Sequence, residues 1–163
     1  MNIVVVGTGY VGLVAGACLA KIGHQATCVD IDKDKIKKLE EGVIPIFEPG
    51  LTEVVKEEVA SKRLSFSTSL KDVLDSAEVV FIAVGTPMRR DGKADLRYVE
   101  AVAEEIGKNI KDYKVIVNKS TVPVGTGKHV TDIIAKHYDG DFDVVSNPEF
   151  LREGSAVEDF MKP

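Results

Sequence analysis

Residues 1–30 read MNIVVVGTGYVGLVAGACLAKIGHQATCVD and contain the strongest structural signal in the chain. Consecutive apolar residues at 3–6 predict a buried strand. A glycine turn follows, consisting of Gly7, Thr8, Gly9, Tyr10, Val11 and Gly12. A helix rich in small residues and a second apolar strand ending at Asp30 come next. This order of parts is typical of a dinucleotide-binding βαβ unit.

The three glycines of this turn each have a mechanical explanation. Gly7 lets the backbone turn sharply out of the first strand, and Gly9 lets a pyrophosphate approach the main chain because it has no Cβ. Gly12 allows the following helix to pack closely on the sheet. The free N–H groups at the start of that helix would then face the phosphates. Because an acid stands 18 positions beyond Gly12 (30 − 12), we favour a dinucleotide site over a plain tight turn.

Asp30 predicts which dinucleotide binds. A carboxylate at the end of the second strand accepts hydrogen bonds from ribose hydroxyls, and it repels an added 2′-phosphate. We therefore predict NAD rather than NADP as the cofactor, although Lys33 and Lys35 nearby weaken this preference slightly.

The composition narrows the class of protein further. The chain has 163 residues, is 44% hydrophobic and 29% charged, and carries a formal net charge of −5. This length suits one domain with a sizeable core, and the acidic balance argues against a nucleic-acid surface, which needs a basic face. No apolar run approaches the roughly 18 residues of a membrane span, and no charged segment of a signal peptide precedes the first strand. We therefore expect a cytoplasmic protein without nucleic-acid or membrane partners.

The two cysteines, Cys18 and Cys28, fall in the predicted first helix and second strand. Their apolar surroundings favour buried, unreactive thiols over a disulfide or a nucleophile. Two unpaired core thiols fit a reducing compartment, and we predict no metal site.

Strand-like and helix-like segments alternate along the rest of the chain. Beyond the first two strands, apolar runs predict strands at residues 64–67, 77–84, 115–118 and 142–146. Helical periodicity predicts helices at residues 33–41, 51–61, 70–74, 96–110 and 125–138, and the polar residues 88–94 predict a mobile loop. The predicted fold class is α/β, a Rossmann-type doubly wound, mostly parallel six-stranded sheet with helices on both faces.

The predicted domain organisation has two parts. We assign residues 1–150 to an NAD-binding Rossmann domain, because no internal repeat, low-complexity stretch or linker divides them. Residues 151–163 predict the start of a helix that leads to a further, absent domain, so that the chain looks cut from something longer.

Residues that follow the strands are candidate site residues, because ligands of an open α/β sheet bind beyond the carboxyl ends of the strands. The fourth strand is followed by Gly85, Thr86 and Pro87, and the fifth by Ser120 and Thr121. A turn or a helix cap explains the first group better when it is taken alone. N-caps of the next helix explain the second group as well as a binding role does.

The sixth strand is followed by NPEFLREG at residues 147–154, where Glu149 and Glu153 flank an arginine. A solvated helix start with acids in its first turn is the simpler alternative. We favour a functional role because five polar clusters follow strands at the same sheet edge. Pro148 keeps Asn147 out of the helical region, so we expect a partly extended segment with Glu149 facing a substrate and Glu153 facing the nicotinamide.

Together these motifs resemble the N-terminal domain of the nucleotide-sugar 6-dehydrogenases, the UDP-glucose and GDP-mannose dehydrogenase family. The resemblance runs over residues 1–163 and is specific because the motifs occur in the family's order and spacing. They are GTGYVGL at 7–13, VDID at 29–32, PIFEPGL at 45–51, GTP at 85–87, KSTVPVGT at 119–126 and NPEFLREG at 147–154.

The resemblance implies an NAD-dependent oxidation of a sugar C6 alcohol to a carboxylate, in which two hydrides leave in turn to two NAD molecules. It implies a cofactor site formed by the glycine turn with Asp30, Lys35, Gly85, Thr86, Pro87, Ser120, Thr121 and Glu153. It implies a sugar-nucleotide site formed by Glu149, Phe150, Leu151 and Arg152. Within that site Glu149 is the expected general base, and Thr121 is expected to help hold the catalytic water.

One departure from the family pattern bears on activity. The family's catalytic cysteine, which captures the aldehyde as a thiohemiacetal, lies in a second domain within a glycine-rich motif that these 163 residues do not contain. The family's central dimer helix is also missing. The resemblance therefore implies that this chain binds NAD without completing the reaction and that the full-length protein is a homodimer. The expected substrate is a sugar nucleotide, with UDP-glucose ranked before GDP-mannose and UDP-N-acetylmannosamine.

Two other classes of protein share the first motif. One is a non-catalytic Rossmann module that senses NAD or another nucleotide, and the other is a different two-domain dehydrogenase, of the 3-hydroxyacid or 6-phosphogluconate type. A sensor has no use for the segment at 147–154, and the other dehydrogenases lack both that segment and the one at 45–51. We therefore rank the nucleotide-sugar dehydrogenase first.

Overall fold

A computed structural model describes residues 1–162 of the chain, so that Pro163, the end of the predicted segment 151–163, lies outside the described residues. Its strands are β1 (Asn2–Val6), β2 (Gln25–Val29), β3 (Leu64–Ser67), β4 (Val79–Ile82), β5 (Val115–Asn118) and β6 (Asp143–Ser146). Its helices are α1 (Tyr10–Lys21), α2 (Lys33–Glu40), α3 (Leu51–Ala60), α4 (Leu70–Leu74), α5 (Arg97–Asn109), α6 (Thr126–Ile134) and α7 (Ala156–Met161).

The six strands form one sheet in the order β3-β2-β1-β4-β5-β6. All five neighbouring pairs are parallel, so the predicted Rossmann-type sheet is confirmed and is parallel throughout. The strand order reverses between β1 and β4, which lie side by side with Val5 opposite Phe81. This reversal opens a crevice at the carboxyl ends of these two strands, where open α/β sheets bind their ligands.

Two apolar cores cover the two faces of the sheet. On one face α1, α2, α3 and α7 pack on the sheet around fully buried residues such as Leu13 and Leu39. On the other face α4, α5 and α6 pack around residues such as Ile82 and Ile116. Alternate residues of β1 enter opposite cores, because side chains along a strand point to opposite faces.

The two cysteines lie in the first of these cores, as predicted. Cys18 and Cys28 are both fully buried and free. Burial raises the pKa of the Cys18 thiol to about 11 and that of Cys28 to about 12. Both thiols therefore stay protonated at neutral pH, which disfavours any role as a nucleophile.

Several predicted element boundaries are wrong. The strand predicted at 77–84 spans only β4, and the helix predicted at 125–138 ends with α6. Residues 88–94, predicted as a mobile loop, contain a small hairpin, since Arg89 N donates to Lys93 O at 2.7 Å and Met88 pairs with Ala94. Gly92 provides the positive φ of 80° that the hairpin turn requires.

The helix predicted from residue 151 begins only at Ala156, the first residue of α7. Gly154 has a φ of 93°, a left-handed conformation that an α-helix cannot continue through. The segment before α7 is therefore irregular, in agreement with the argument that Pro148 keeps Asn147 out of a helix.

Candidate functional site

Two cavities lie at the carboxyl edge of the sheet and meet at the reversal of strand order. The larger has a volume of about 360 Å³ and reaches toward Asp30 and Lys35. The smaller has a volume of about 220 Å³ and reaches toward Thr121 and Glu149. Both are lined by Gly9, Ala83, Val84 and Gly85. The two cavities are therefore neighbouring parts of one cleft that runs across the glycine turn.

The glycine turn has the geometry that its residues predict. Gly7 has a φ of 105° and donates its N–H to Val29 O at 2.7 Å. A Cβ on Gly12 would lie 1.9 Å from the carbonyl oxygen of Gly7, which no side chain could tolerate. A Cβ on Gly9, by contrast, would meet no atom within 4 Å and would project into open space. That space is where a pyrophosphate would approach the main chain.

The start of α1 is free to bind an anion. Gly9 is its N-cap residue, no side chain caps the helix, and its first turn contains no acidic residue. The unpaired N–H groups therefore face the open space next to Gly9, with the positive end of the helix dipole behind them. These features fit a dinucleotide whose phosphates lie at the glycine turn.

Asp30 lies directly beside this turn. Its Oδ2 accepts hydrogen bonds from Thr8 N at 3.0 Å, Thr8 Oγ1 at 2.6 Å and Lys35 Nζ at 2.8 Å. Burial alone would raise the pKa of the Asp30 carboxyl, but the bonds from Lys35 and Thr8 outweigh it and lower that pKa to about 2. The group is consequently an anion at neutral pH, as a ribose acceptor that repels a 2′-phosphate must be.

We expect the wild-type chain to bind NAD at least about 10-fold more tightly than NADP, a gap of about 1.4 kcal/mol. The Asp30→Ala variant should bind NAD more weakly and show a narrower gap, because it loses the ribose acceptor and frees Lys35 to pair with a 2′-phosphate. Isothermal titration calorimetry with both dinucleotides measures this.

Asp34 provides the matched control for this titration, since it is an exposed carboxylate in the first turn of α2 and lines neither cavity. The Asp34→Ala variant should retain the wild-type preference. Equal affinities of the wild-type chain for NAD and NADP would contradict the proposed selectivity.

Hydroxyl groups join the ends of β4 and β5 in the smaller cavity. Thr86 Oγ1 donates to the carbonyl oxygen of Thr121 at 2.8 Å. The Ser120 hydroxyl lies 2.7 Å from Val84 O and 3.2 Å from Ile82 O. The Ser120 hydroxyl therefore bonds to backbone carbonyl groups of the protein and stabilises the wall of the cleft.

The alternative interpretation of Ser120 and Thr121 as N-caps is wrong. The N-cap residue of α6 is Gly125, and no side chain caps that helix. Three residues lie between Thr121 and Gly125, and among the described residues neither hydroxyl bonds to the first turn of the helix. Thr121 is instead exposed in the wall of the smaller cavity.

Only one residue of the predicted sugar-nucleotide site lines the cleft. Glu149 lies in the smaller cavity with Thr121, and its Oε2 accepts a hydrogen bond from Leu151 N at 2.6 Å. Arg152 points away and pairs with Asp159, with Nη2 to Oδ1 at 2.6 Å. Phe150 is 87% exposed. These positions separate Glu149 from the rest of its segment.

The site residues predicted from the sequence therefore fall into three sets, and Gly9 and Gly85 belong to the first two of them. The larger cavity contains Gly7, Gly9, Asp30, Lys35 and Gly85. The smaller contains Gly9, Tyr10, Val11, Gly85, Thr86, Ser120, Thr121 and Glu149. The predicted residues that line neither cavity are Thr8, Gly12, Pro87, Phe150, Leu151, Arg152 and Glu153. Thr8 and Gly12 act indirectly, through Asp30 and through helix packing.

Glu48 is a structural element of the site that sequence reasoning missed. It is 4% exposed and accepts hydrogen bonds from the Tyr10 hydroxyl and from the N–H groups of Gly154 and Ala156, the last two at 2.8 Å each. The bond from Tyr10 is the main cause that lowers the pKa of the Glu48 carboxyl. The Glu48 carboxylate thus connects the glycine turn to the start of α7 through hydrogen bonds.

The sequence carried a signal for this contact, because Glu48 lies in the motif at 45–51 that supported the family resemblance. Its partners are 38 and 106 residues away, so no local pattern could identify them. Lys119, within the motif at 119–126, was missed in the same way and lines the smaller cavity.

The fold and the cleft define a Rossmann-type dinucleotide-binding domain. The family model described as "UDP-glucose/GDP-mannose dehydrogenase family, NAD binding domain" matches residues 1–163. The chain belongs to this family, and its cofactor is NAD.

Named relatives agree with this assignment. The chain is 56% identical to the UDP-glucose 6-dehydrogenase TuaD of Bacillus subtilis over 162 residues, which are 98% of this chain and 35% of that protein. It is also 56% identical to a UDP-glucose 6-dehydrogenase of Rhizobium meliloti, over 100% of this chain and 38% of that protein. The chain therefore spans little more than a third of the length of these curated relatives.

Solved structures share the fold closely. A UDP-glucose dehydrogenase from Pyrobaculum islandicum has a TM-score of 0.95 at 44% identity, over 99% of this chain and 39% of that one. A GDP-mannose dehydrogenase from Pseudomonas aeruginosa has a TM-score of 0.94 at 39% identity, over 98% of this chain and 38% of that one. These findings favour the nucleotide-sugar dehydrogenase over the sensor module and the 3-hydroxyacid type of dehydrogenase.

Residues 1–162 contain neither a candidate membrane span nor a candidate metal-ligand cluster. None of their helices has both the length and the apolar composition needed to cross a bilayer. Among the same residues, no group of three or more His, Cys, Asp or Glu side chains could hold a metal ion.

Proposed function

We propose that this chain is the NAD-binding part of a UDP-glucose 6-dehydrogenase, which oxidises the C6 alcohol of UDP-glucose to a carboxylate. The observation that carries the proposal is the position of Glu149 and Thr121 in the same cavity as Gly9 and Gly85. A dinucleotide with its phosphates at Gly9 and its adenosine ribose at Asp30 would extend its nicotinamide into that cavity. A carboxylate and a hydroxyl would then face the reacting carbon.

The residues of the smaller cavity have distinct roles in this proposal. Bound NAD supplies the hydride acceptor. Glu149 acts as general base, since a carboxylate held at the cavity wall can accept a proton from the reacting alcohol or from water. Thr121 holds the catalytic water through its hydroxyl. Gly85, Thr86 and Ser120 shape the wall next to the nicotinamide, and Pro87 restricts the backbone that follows Thr86.

Residues 150–153, which follow Glu149, are proposed to form the border of the substrate site. We propose that Phe150, Leu151 and Arg152 border the sugar-nucleotide site outside the smaller cavity and that Glu153 approaches the nicotinamide side. Arg152 is paired with Asp159, so its contribution is to keep this segment in place. The exposed Phe150 ring is available for contact with a sugar nucleotide or with another part of the full-length protein.

The substrate and the assembly follow from the relatives. UDP-glucose is preferred because relatives at 48–56% identity bear the name UDP-glucose 6-dehydrogenase, whereas the GDP-mannose enzyme shares 39%. We propose further that the full-length protein is a cytoplasmic homodimer with no nucleic-acid or membrane partner. The 163-residue chain alone is proposed to bind NAD without completing the oxidation.

A substrate panel tests this proposal. The full-length protein is assayed for NADH formation with UDP-glucose, GDP-mannose and UDP-N-acetylmannosamine, beside the 163-residue chain. We expect UDP-glucose to react fastest and to yield two NADH per sugar, because oxidation of an alcohol to an acid removes four electrons and takes up one water. The chain alone should stay at background. One NADH per sugar, or no reaction with any of the three, would refute the proposal.

A further inference from the structure

Lys119 is a buried lysine in the wall of the smaller cavity. It follows β5, is 8% exposed, and its Nζ lies 3.1 Å from Asn147 Oδ1. The same Nζ lies 6.0 Å from the centre of the Phe160 ring, within the range of a cation–π contact. An ammonium group carries three donors, and within residues 1–162 only Asn147 accepts from it. Burying an ammonium group costs free energy, and two of the three N–H donors of Lys119 have no acceptor among residues 1–162.

The charged residue that acts on this ammonium group is Glu149. Burial lowers the pKa of Lys119, and the negative charge of Glu149 opposes that effect. Both residues line the same cavity. Within the described part of the chain, Lys119 is the only cationic residue that lines it.

The bond between Lys119 and Asn147 joins two neighbouring strand ends. Asn147 N donates to Asn118 O at 2.9 Å, which is the last main-chain bond between the ends of β5 and β6. The side-chain bond lies just beyond it, and Pro148 then restricts the backbone that enters Glu149. Two hydrogen bonds therefore restrict the Glu149 carboxylate. Leu151 N donates to it directly, and the bond from Lys119 to Asn147 fixes the turn that precedes it.

Lys114 is a second buried lysine, and its contacts indicate a purely structural role. Lys114, at the opposite end of β5, is 1% exposed, donates to Ala77 O at 2.7 Å and pairs with Asp112 at 2.6 Å. It lines neither part of the cleft. Lys114 has its partners and lies outside both cavities of the cleft, whereas Lys119 has spare donors and lines the same cavity as Glu149.

We propose that Lys119 is a positioning residue of the dehydrogenase site: its ammonium group holds the turn at Asn147 and thereby fixes the Glu149 carboxylate in the smaller cavity. The expected effect of Lys119 on kcat rests on the proposed function. The structural part of the inference concerns only the contacts among these residues.

The kinetic test uses the full-length protein with NAD and UDP-glucose. Lys119→Met keeps an unbranched apolar side chain of similar length but removes the ammonium group, and it should lower kcat at least about 10-fold, since a small misplacement of a reacting group is costly. Calorimetric NAD affinity should remain unchanged. Asn147→Ala should lower kcat in the same direction but less, because the cation stays near Glu149.

Lys114→Met and Lys128→Met are the controls. The first removes a buried lysine outside the cleft and should lower the melting temperature without lowering kcat. The second removes an exposed lysine paired with Asp132 on α6 and should change neither. If Lys119→Met lowers the melting temperature as much as Lys114→Met while keeping a wild-type kcat, the proposed role is wrong.

A rescue experiment covers the case in which Lys119→Met folds poorly. Lys119→Ala removes a propylammonium group, so added n-propylamine should restore kcat in proportion to its concentration, whereas n-propanol should not. Restoration by both compounds, or by neither, would show that the charge does not position Glu149.

A measurement without turnover separates this inference from the proposed function. In the ¹⁵N-labelled 163-residue chain, the Leu151 amide reports on the Glu149 carboxylate that it binds. Its resonance should shift in Lys119→Met and stay in place in Lys128→Met. If the full-length wild-type protein oxidises no sugar nucleotide, the proposed function fails and this shift alone decides the role of Lys119. An unchanged Leu151 resonance would then overturn it.

Discussion

The Gly12→Ala variant should lose about 3 kcal/mol of folding free energy or more, and with it all measurable NAD binding. The added Cβ would lie 1.9 Å from the carbonyl oxygen of Gly7 and 3.3 Å from the Cβ of Ala83. Because the first of these atoms belongs to the backbone, relief requires α1 to move away from the turn. Thermal unfolding should show a melting temperature lower by about 10 °C.

Gly9→Ala is the matched control, since it adds the same methyl group three residues earlier. Gly9 has a φ of −71°, which alanine adopts readily, and its added Cβ would meet no protein atom within 4 Å. This variant should keep the wild-type melting temperature and still bind NAD much more weakly, because the methyl group occupies the space of the pyrophosphate. Full NAD affinity in Gly9→Ala would mean that the phosphates lie elsewhere.

The Glu149→Gln variant of the full-length protein should lose roughly 10²-fold or more in turnover while NAD affinity stays nearly unchanged. Glutamine keeps an oxygen that can accept the hydrogen bond from Leu151 N, so the local turn is preserved. It cannot accept a proton, and the general base is therefore lost. Steady-state kcat with UDP-glucose and calorimetric NAD binding together measure the effect.

Glu153→Gln makes the same chemical change four residues later, in a residue outside the cleft. It should chiefly raise the NAD concentration needed for half-maximal rate. Wild-type rates in both variants would mean that the segment at 147–154 is only a solvated stretch before α7, and the roles expected from the family would not apply to this protein.

The fold could be predicted from the sequence because its signals are local. Apolar runs of strand length, positions that need a glycine, and helical periodicity each act within about ten residues, and together they predicted six strands in a mostly parallel sheet. The glycine turn and Asp30 were predictable for the same reason, since a single βαβ unit brings them together. The termini of β4, α6 and α7 were less predictable, because fraying and packing decide where an element ends.

The tertiary structure decided which side chains of the cleft contact one another. Glu48 contacts Tyr10 and Gly154, which are 38 and 106 residues away, and Lys119 contacts Asn147 at a separation of 28 residues. Such contacts exist only once the strand ends and α7 have packed together. The sequence alone determined the dinucleotide-binding fold, whose determinants are local backbone preferences and burial. The hydrogen-bond partners of the buried Glu48 and Lys119 depend on distances in space, which only the folded chain defines.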